Sequence, residues 1–259
     1  LPATLLAALL QAWRTAVQQR VRGSLSVNAA GLVRYLYGLP VSIALLALYL
    51  GATGQAQVPQ FGGAFLVWAA LGGLVQLLAT NLLLMAFGYR NYVVGTAYAK
   101  TEAVQGALLA MLLLGEVLTP LSWLGIAVGV AGVILLSTGG QRLRASDIVQ
   151  PAALCGLGAG FLFALTAIFV KRATLDLAVA DMVLRALMAL VAVQASQVVM
   201  QGIYVLWREP DQIAPIFRTW RISAQVGLLA SLGSACWFTG FATAPVALVR
   251  AVGQIEVVF

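Results

Sequence analysis

Seven ionisable residues lie within long apolar stretches of this 259-residue chain: Arg14, Arg34, Lys100, Glu102, Arg185, Arg250 and Glu256. A charge at bilayer depth costs about 3 kcal/mol or more unless it faces protein or water, so each needs a partner or a task. Arg34 and Arg185 stand close to the ends of their stretches and are expected to snorkel to the interface as structural residues. Lys100, Glu102 and Glu256 lie near the middle of theirs, where snorkelling is harder. Helical spacing puts Tyr98, Glu102 and Gln105 on one polar stripe, with Lys100 about 200° away around the axis, so Lys100 has to find its partner on another element. Further on, Arg250 and Gln254 share a face, and Glu256 points with Val249 and Val252. Gln11, Arg14, Thr15 and Gln18 make a second polar stripe in the first apolar stretch.

Two roles fit the carboxylates. Desolvated beside a cavity, Glu102 and Glu256 could exchange protons for a cationic or zwitterionic solute. Alternatively, they are locked in ion pairs with Lys100, Arg250 or Arg14 and join the helices. Trp13, Tyr98 and Trp237 could stack on an organic cation or an aromatic solute, or could simply pack. Gln76, Asn81 and Ser234 are milder cavity candidates. Other chemistry lacks candidates. The chain has no histidine, and its two cysteines, Cys155 and Cys236, lie in apolar stretches, so neither a metal site, a disulfide framework nor a catalytic group is expected. No phosphate-binding loop, Walker-type lysine or dinucleotide fingerprint occurs, so neither a cofactor nor ATP-driven transport by this chain itself is expected. The chain reads as a non-enzyme.

The elements that must hold these groups are membrane spans. Hydrophobic residues make up 62% of the chain, charged ones 9%, and mean hydropathy is +0.97, outside the range of water-soluble domains. The net charge of +7 sits largely in short gaps between apolar stretches, where it reads as topology and headgroup contacts rather than as a nucleic-acid surface. Stretches of about 20 apolar residues give nine spans, near 2–19, 30–51, 61–86, 92–114, 120–138, 151–170, 179–206, 219–241 and 244–259. Pro120, Pro151 and Pro245 mark helix starts, Gly51, Gly88 and Gly139-Gly140 mark ends, and Pro40 predicts a kink. Trp207, Trp220 and Tyr204 suggest an interfacial belt.

An internal repeat organises the spans. Shifting the chain by 151 residues pairs Thr15 with Thr166, Arg20 with Lys171 and Arg34 with Arg185; a shift of 154 pairs Phe87 with Phe241, Ala97 with Ala251 and Glu102 with Glu256. Five helices per copy is an odd number, so the copies enter the membrane from opposite sides as an inverted repeat. Only Thr166 survives from the polar stripe of the first span, so one wall of a central cavity should be more polar than the other. The second copy stops roughly 30 residues short of a tenth helix, and a complete protein is expected to have one.

The segment 112–120, reading Leu-Leu-Leu-Gly-Glu-Val-Leu-Thr-Pro, and the glycine-rich stretch 124–136 after it closely resemble the end of the first repeat in EamA-like transporters of the drug/metabolite transporter superfamily. Residues 95–137 look like helices four and five of such a repeat, and 237–259 look like helices eight and nine of the pair. The resemblance implies an all-α integral membrane protein, an inverted repeat of two five-helix halves with ten transmembrane helices expected and about nine present. The first repeat would occupy 1–140 and the incomplete second 141–259. It implies a secondary transporter that exports or exchanges a small metabolite, such as an amino acid, amine or drug-like compound, through a cavity between the halves. The setting would be a bacterial plasma membrane; the lipid bilayer and a small-molecule substrate would be partners, with protons a further one if Glu102 and Glu256 take the coupling role. A nucleotide-sugar or lipid-linked-sugar carrier and a non-transporting assembly subunit are the alternatives. Members commonly carry proline in the fourth helix, where this chain has Thr101-Glu102. Glu116 is expected to serve as a helix-end residue.

Glycines at Gly125 and Gly129, and at Gly156 and Gly160, should make smooth faces for close helix packing. That leaves the fifth span to pack on a tenth helix or on a second copy in a homodimer. Orientation is open. Basic residues favour the loops holding Arg20, Arg22, Arg90, Arg142, Arg144, Arg208, Arg218 and Arg221 over those holding Lys171 and Arg172, which puts the N-terminus outside. The resemblance implies cytoplasmic termini.

Overall fold

The computed structural model describes residues 2–54, 61–86, 88–89, 92–137 and 150–258, so the loops carrying Arg90, Arg142 and Arg144 lie outside it. The described residues are almost wholly helical. They form α1 (Pro2–Arg22), α2 (Val27–Leu36), α3 (Gly38–Thr53), α4 (Gly63–Ala86), α5 (Tyr92–Ala99), α6 (Glu102–Leu114), α7 (Pro120–Ser137), α8 (Pro151–Leu175), α9 (Met182–Arg208), α10 (Ile213–Arg218), α11 (Trp220–Thr243) and α12 (Val246–Gly253). A short 3₁₀ turn at Pro210–Gln212 precedes α10, and another at Gln254–Val258 follows α12.

Among the described residues five segments are long and apolar enough to cross a membrane: Val27–Thr53 taken through its bend, Gly63–Ala86, Pro151–Leu175, Met182–Arg208 and Trp220–Thr243. Pro40 does bend its span rather than end it. The backbone leaves α2 at Tyr37, still in the right-handed region, and α3 resumes at once. α11 crosses at this bend so closely that a Cβ on Gly227 would lie 2.5 Å from the carbonyl carbon of Tyr37. The reading of 92–114 as one helix needs correction. The ladder changes to i→i−3 bonds, from Lys100 N–H to Ala97 O and from Thr101 N–H to Tyr98 O, and the helix breaks between α5 and α6. The single stripe of Tyr98, Glu102 and Gln105 is therefore interrupted between Tyr98 and Glu102. Instead Thr101 Oγ1 donates to Tyr98 O, and Gln105 Nε2 donates to Thr101 Oγ1.

Helix packing follows the inverted repeat. With α1 equivalent to α8, α2–α3 to α9, α4 to α11 and α5–α6 to α12 with its 3₁₀ turn, the contact of α4 with α8 is answered by that of α11 with α1. That of α6 with α8 is answered by α12 with α1, and that of α4 with α9 by α11 with α2 and α3. α3 meets its own mate α9 across the axis. Lipid tails are as apolar as leucine, so close approach of small side chains takes over from hydrophobic burial. The core is accordingly rich in alanine, with Ala69, Ala110, Ala167, Ala173, Ala186 and Ala189 buried against Phe65, Leu190 and Phe238. Leu48, Leu112, Leu121, Val128, Ile203 and Leu206 stand on the outside. Polar groups inside and large aliphatic groups outside is the arrangement a bilayer solvent selects.

The two pairs of packing glycines differ. A Cβ on Gly156 would lie 2.0 Å from Gly95 O, and one on Gly160 would lie 2.8 Å from Ala99 O, so α8 runs directly against the backbone of α5. Gly125 and Gly129 on α7 have nothing within 4 Å among the described residues, so none of those residues packs on their smooth face.

Candidate functional site

A cavity of about 260 Å³ opens where α1, α2, α4, α6, α8, α11 and α12 converge. Its more polar wall is α1, which supplies Gln11, Arg14 and Thr15; the equivalent wall on α8 supplies Phe163 and Thr166. That asymmetry is the one the sequence repeat implies. The cavity is also lined by Arg34, Gln76, Lys100, Glu102, Ser234, Trp237, Phe238, Phe241, Arg250 and Glu256.

The carboxylates are held crosswise. Glu102, in the first repeat, accepts from Nη1 of Arg250, in the second, at 3.4 Å. Glu256, in the second, is ion-paired with Lys100, in the first. Lys100 thus finds its partner on another element, and both pairs link the α5–α6 break to the α12 break.

Arg250 is heavily committed. Its guanidinium carbon lies 5.1 Å from the ring centroids of both Trp237 and Phe241, and Nη2 donates to Phe163 O at 2.6 Å. Trp237 is stacked on Phe241 at 5.8 Å, and its indole N–H donates to Gln11 Oε1 at 2.9 Å. Gly253 makes room for that indole, since a Cβ there would lie 2.0 Å from the ring.

Arg34 is placed differently from its expected role. It is 4% exposed, lines the cavity, and donates from Nη1 to Thr80 Oγ1 at 3.0 Å, beside the ring of Tyr35. It sits seven residues into α2, about 10 Å from that helix end at 1.5 Å per residue, too deep to reach the interface easily. Depth within the span was the signal that could have found it. Its repeat mate Arg185 remains near the start of α9 and donates to Val179 O.

Other candidates fall outside the cavity lining. Trp13 is 62% exposed and lies outside the cavity lining, whereas Arg14 on the same helix lines it. Tyr98 is half-buried, and Gln254 is buried with its Oε1 unbonded among the described residues. Asn81 is tied to Asn28 and Gln201, whereas Gln76 and Ser234 do reach the cavity. Glu116 receives the backbone N–H of Val246 at 3.0 Å and so caps the start of α12. Trp207, Trp220 and Tyr204 are exposed near the ends of α9 and α11.

A bundle with an apolar exterior, two interlocked halves and a charged internal cavity defines a membrane solute carrier. Residues 1–138 match the model of the EamA-like transporter family. The chain belongs to that family, a membrane transporter group of the drug/metabolite transporter superfamily. A solved structure titled only "Crystal structure of protein" is similar over 99% of this chain and 85% of its own, with a TM-score of 0.70 and 18% sequence identity, a likeness of fold. No curated protein sequence matches the chain.

Proposed function

We propose that this transporter is a secondary carrier that exports or exchanges a small metabolite across a bacterial plasma membrane, by alternating access between repeats 1–140 and 141–259. The observation that carries this reading is the crosswise pairing. Glu102 with Arg250 and Glu256 with Lys100 tie one repeat to the other at the cavity, so rocking of the repeats has to part them. Protonation of either carboxylate would release its cation, which is the route by which a proton gradient could be coupled to transport. The small cavity favours a metabolite over a nucleotide sugar, because about 260 Å³ lies below the roughly 300–1,000 Å³ of pockets for drug-sized ligands. The test is counterflow in proteoliposomes holding the full chain, over a panel of amino acids, amines, organic acids and dyes. Saturable flux of at least one class above that of empty vesicles is expected, and Glu102→Gln should alter its pH dependence. A correctly folded, reconstituted protein that moves none of them would refute the carrier reading.

A further inference from the structure

Resting on that carrier reading, we infer that the cavity takes a small organic anion, with its carboxylate or other oxyanion gripped by Arg14 and Arg34 and its apolar part laid against Trp237, Phe163 and Phe238. Four cationic side chains line the cavity, Arg14, Arg34, Lys100 and Arg250, against two carboxylates, Glu102 and Glu256. Both carboxylates are already taken, by Arg250 and Lys100. Two positive charges are left over.

Arg14 is 6% exposed, has no carboxylate partner among the described residues, and leaves its Nε–H buried without an acceptor. Among the described residues Arg34 meets the neutral hydroxyl of Thr80 and the ring of Tyr35. A guanidinium carries five N–H donors in a planar fork, so both residues keep donors with no acceptor among the described residues.

Arg14 and Arg34 each stand one turn from the same helix contact. Gln18 Nε2 donates to Ala30 O at 3.1 Å and fixes the crossing of α1 with α2. Arg14 is one turn before Gln18, and Arg34 is one turn after Ala30 on the returning helix, so both side chains continue from that contact in the same direction. A buried, uncompensated charge is strongly unfavourable, and an incoming oxyanion supplies both the missing charge and the missing acceptors. An amine would enter the field of two unbalanced cations without a free carboxylate to receive it. Glu256 has one unbonded oxygen, but that carboxylate is the one holding Lys100.

The test uses solutes that share one skeleton. The purified full chain is titrated calorimetrically with 3-phenylpropionate, phenylalanine and phenethylamine, and with succinate and inorganic phosphate as carboxylate and phosphate probes; the same solutes are then followed in proteoliposomes. The expected result is that 3-phenylpropionate or succinate binds and phenethylamine does not, with Arg14→Gln and Arg34→Gln each weakening the anion about 10- to 100-fold. Binding of phosphate alone also supports the oxyanion site and assigns its ligand to phosphate. Should Arg14→Gln fail to fold, Arg14→Lys keeps the charge but loses the fork, and about tenfold weaker binding is expected. Tighter binding of phenethylamine or phenylalanine than of 3-phenylpropionate, anion affinity unchanged by both Arg14 variants, or no binding of any anion would overturn the inference. Anion binding with no flux of any solute would sink the carrier reading alone, whereas amine flux without anion binding would sink only the anion site.

Discussion

Replacing Gly156 by alanine should damage the fold, and replacing Gly129 should not, although both belong to similar glycine pairs on membrane helices. At Gly156 a Cβ would lie 2.0 Å from Gly95 O and 2.9 Å from Gly95 C, where ordinary contact begins at 3.4 Å. Both obstacles are backbone, so α5 and α8 must separate by more than about 1 Å. Gly95 has the reciprocal problem, with Ala152 O 2.8 Å from its own Cβ position. Overpacking of this kind costs up to about 3 kcal/mol, and the better helix propensity of alanine returns about 1 kcal/mol, for a net loss of about 2 kcal/mol. At roughly 2–4 °C per kcal/mol for a chain of this size, the apparent Tm should fall by about 4–8 °C. Gly129→Ala meets nothing within 4 Å and keeps only the propensity gain, so its Tm should stay level or rise by a few degrees. The assay heats each detergent-purified protein and follows the fraction still monodisperse by size-exclusion chromatography. Equal Tm values for the two variants, or a larger loss at Gly129, would refute the close α5–α8 crossing.

Other substitutions test the site itself. Glu256→Gln strands the Lys100 ammonium and should destabilise by about 3–5 kcal/mol, while the exchange Lys100→Glu with Glu256→Lys should recover at least half of the lost thermal stability if the two groups pair. Gly253→Ala drives a Cβ into the Trp237 indole, and should cut flux about tenfold or more while tryptophan fluorescence shifts; unchanged emission would place the ring elsewhere. Trp13→Ala should leave flux within about twofold of the parent, because that ring lies outside the cavity, whereas Trp237→Ala removes part of its wall and should lower affinity.

Much of the fold was legible because a bilayer makes long apolar runs conspicuous, and because two copies of one pattern check each other. The same repeat offset that pairs Glu102 with Glu256 also pairs the end of α5 at Ala99 with the end of α12 at Gly253, so the discontinuities fall at equivalent places. What periodicity missed was the break itself. Residues 92–114 hold neither proline nor adjacent glycines, and nothing local announces a turn at Lys100-Thr101. Reading through it made a stripe of Tyr98 and Glu102 that the turn dismantles. Arg34 was misplaced for a related reason: the span was taken to begin near position 30, whereas the helix begins at Val27 and places Arg34 seven residues in. Trp13 was a choice between two faces of α1, decided by the polar stripe on the other side.

The breaks and the buried charges explain one another. A helix that ends inside the membrane exposes the positive end of one dipole and the negative end of another. Glu102 stands in the first turn of α6, where a carboxylate is favoured, and Lys100 stands just past the last turn of α5, where a cation is favoured. In the second repeat Arg250 occupies the last turn of α12, and Glu256 follows in the 3₁₀ turn beyond it. Each break therefore favours one cation and one carboxylate, but Lys100 and Glu102 are two positions apart and Arg250 and Glu256 six, neither of them the three- or four-residue spacing at which helix side chains meet. The inverted repeat resolves this by presenting the opposite break, so the partner of each charge comes from the other half of the protein. Neither half can satisfy its own charges, and the place where the halves meet is the cavity.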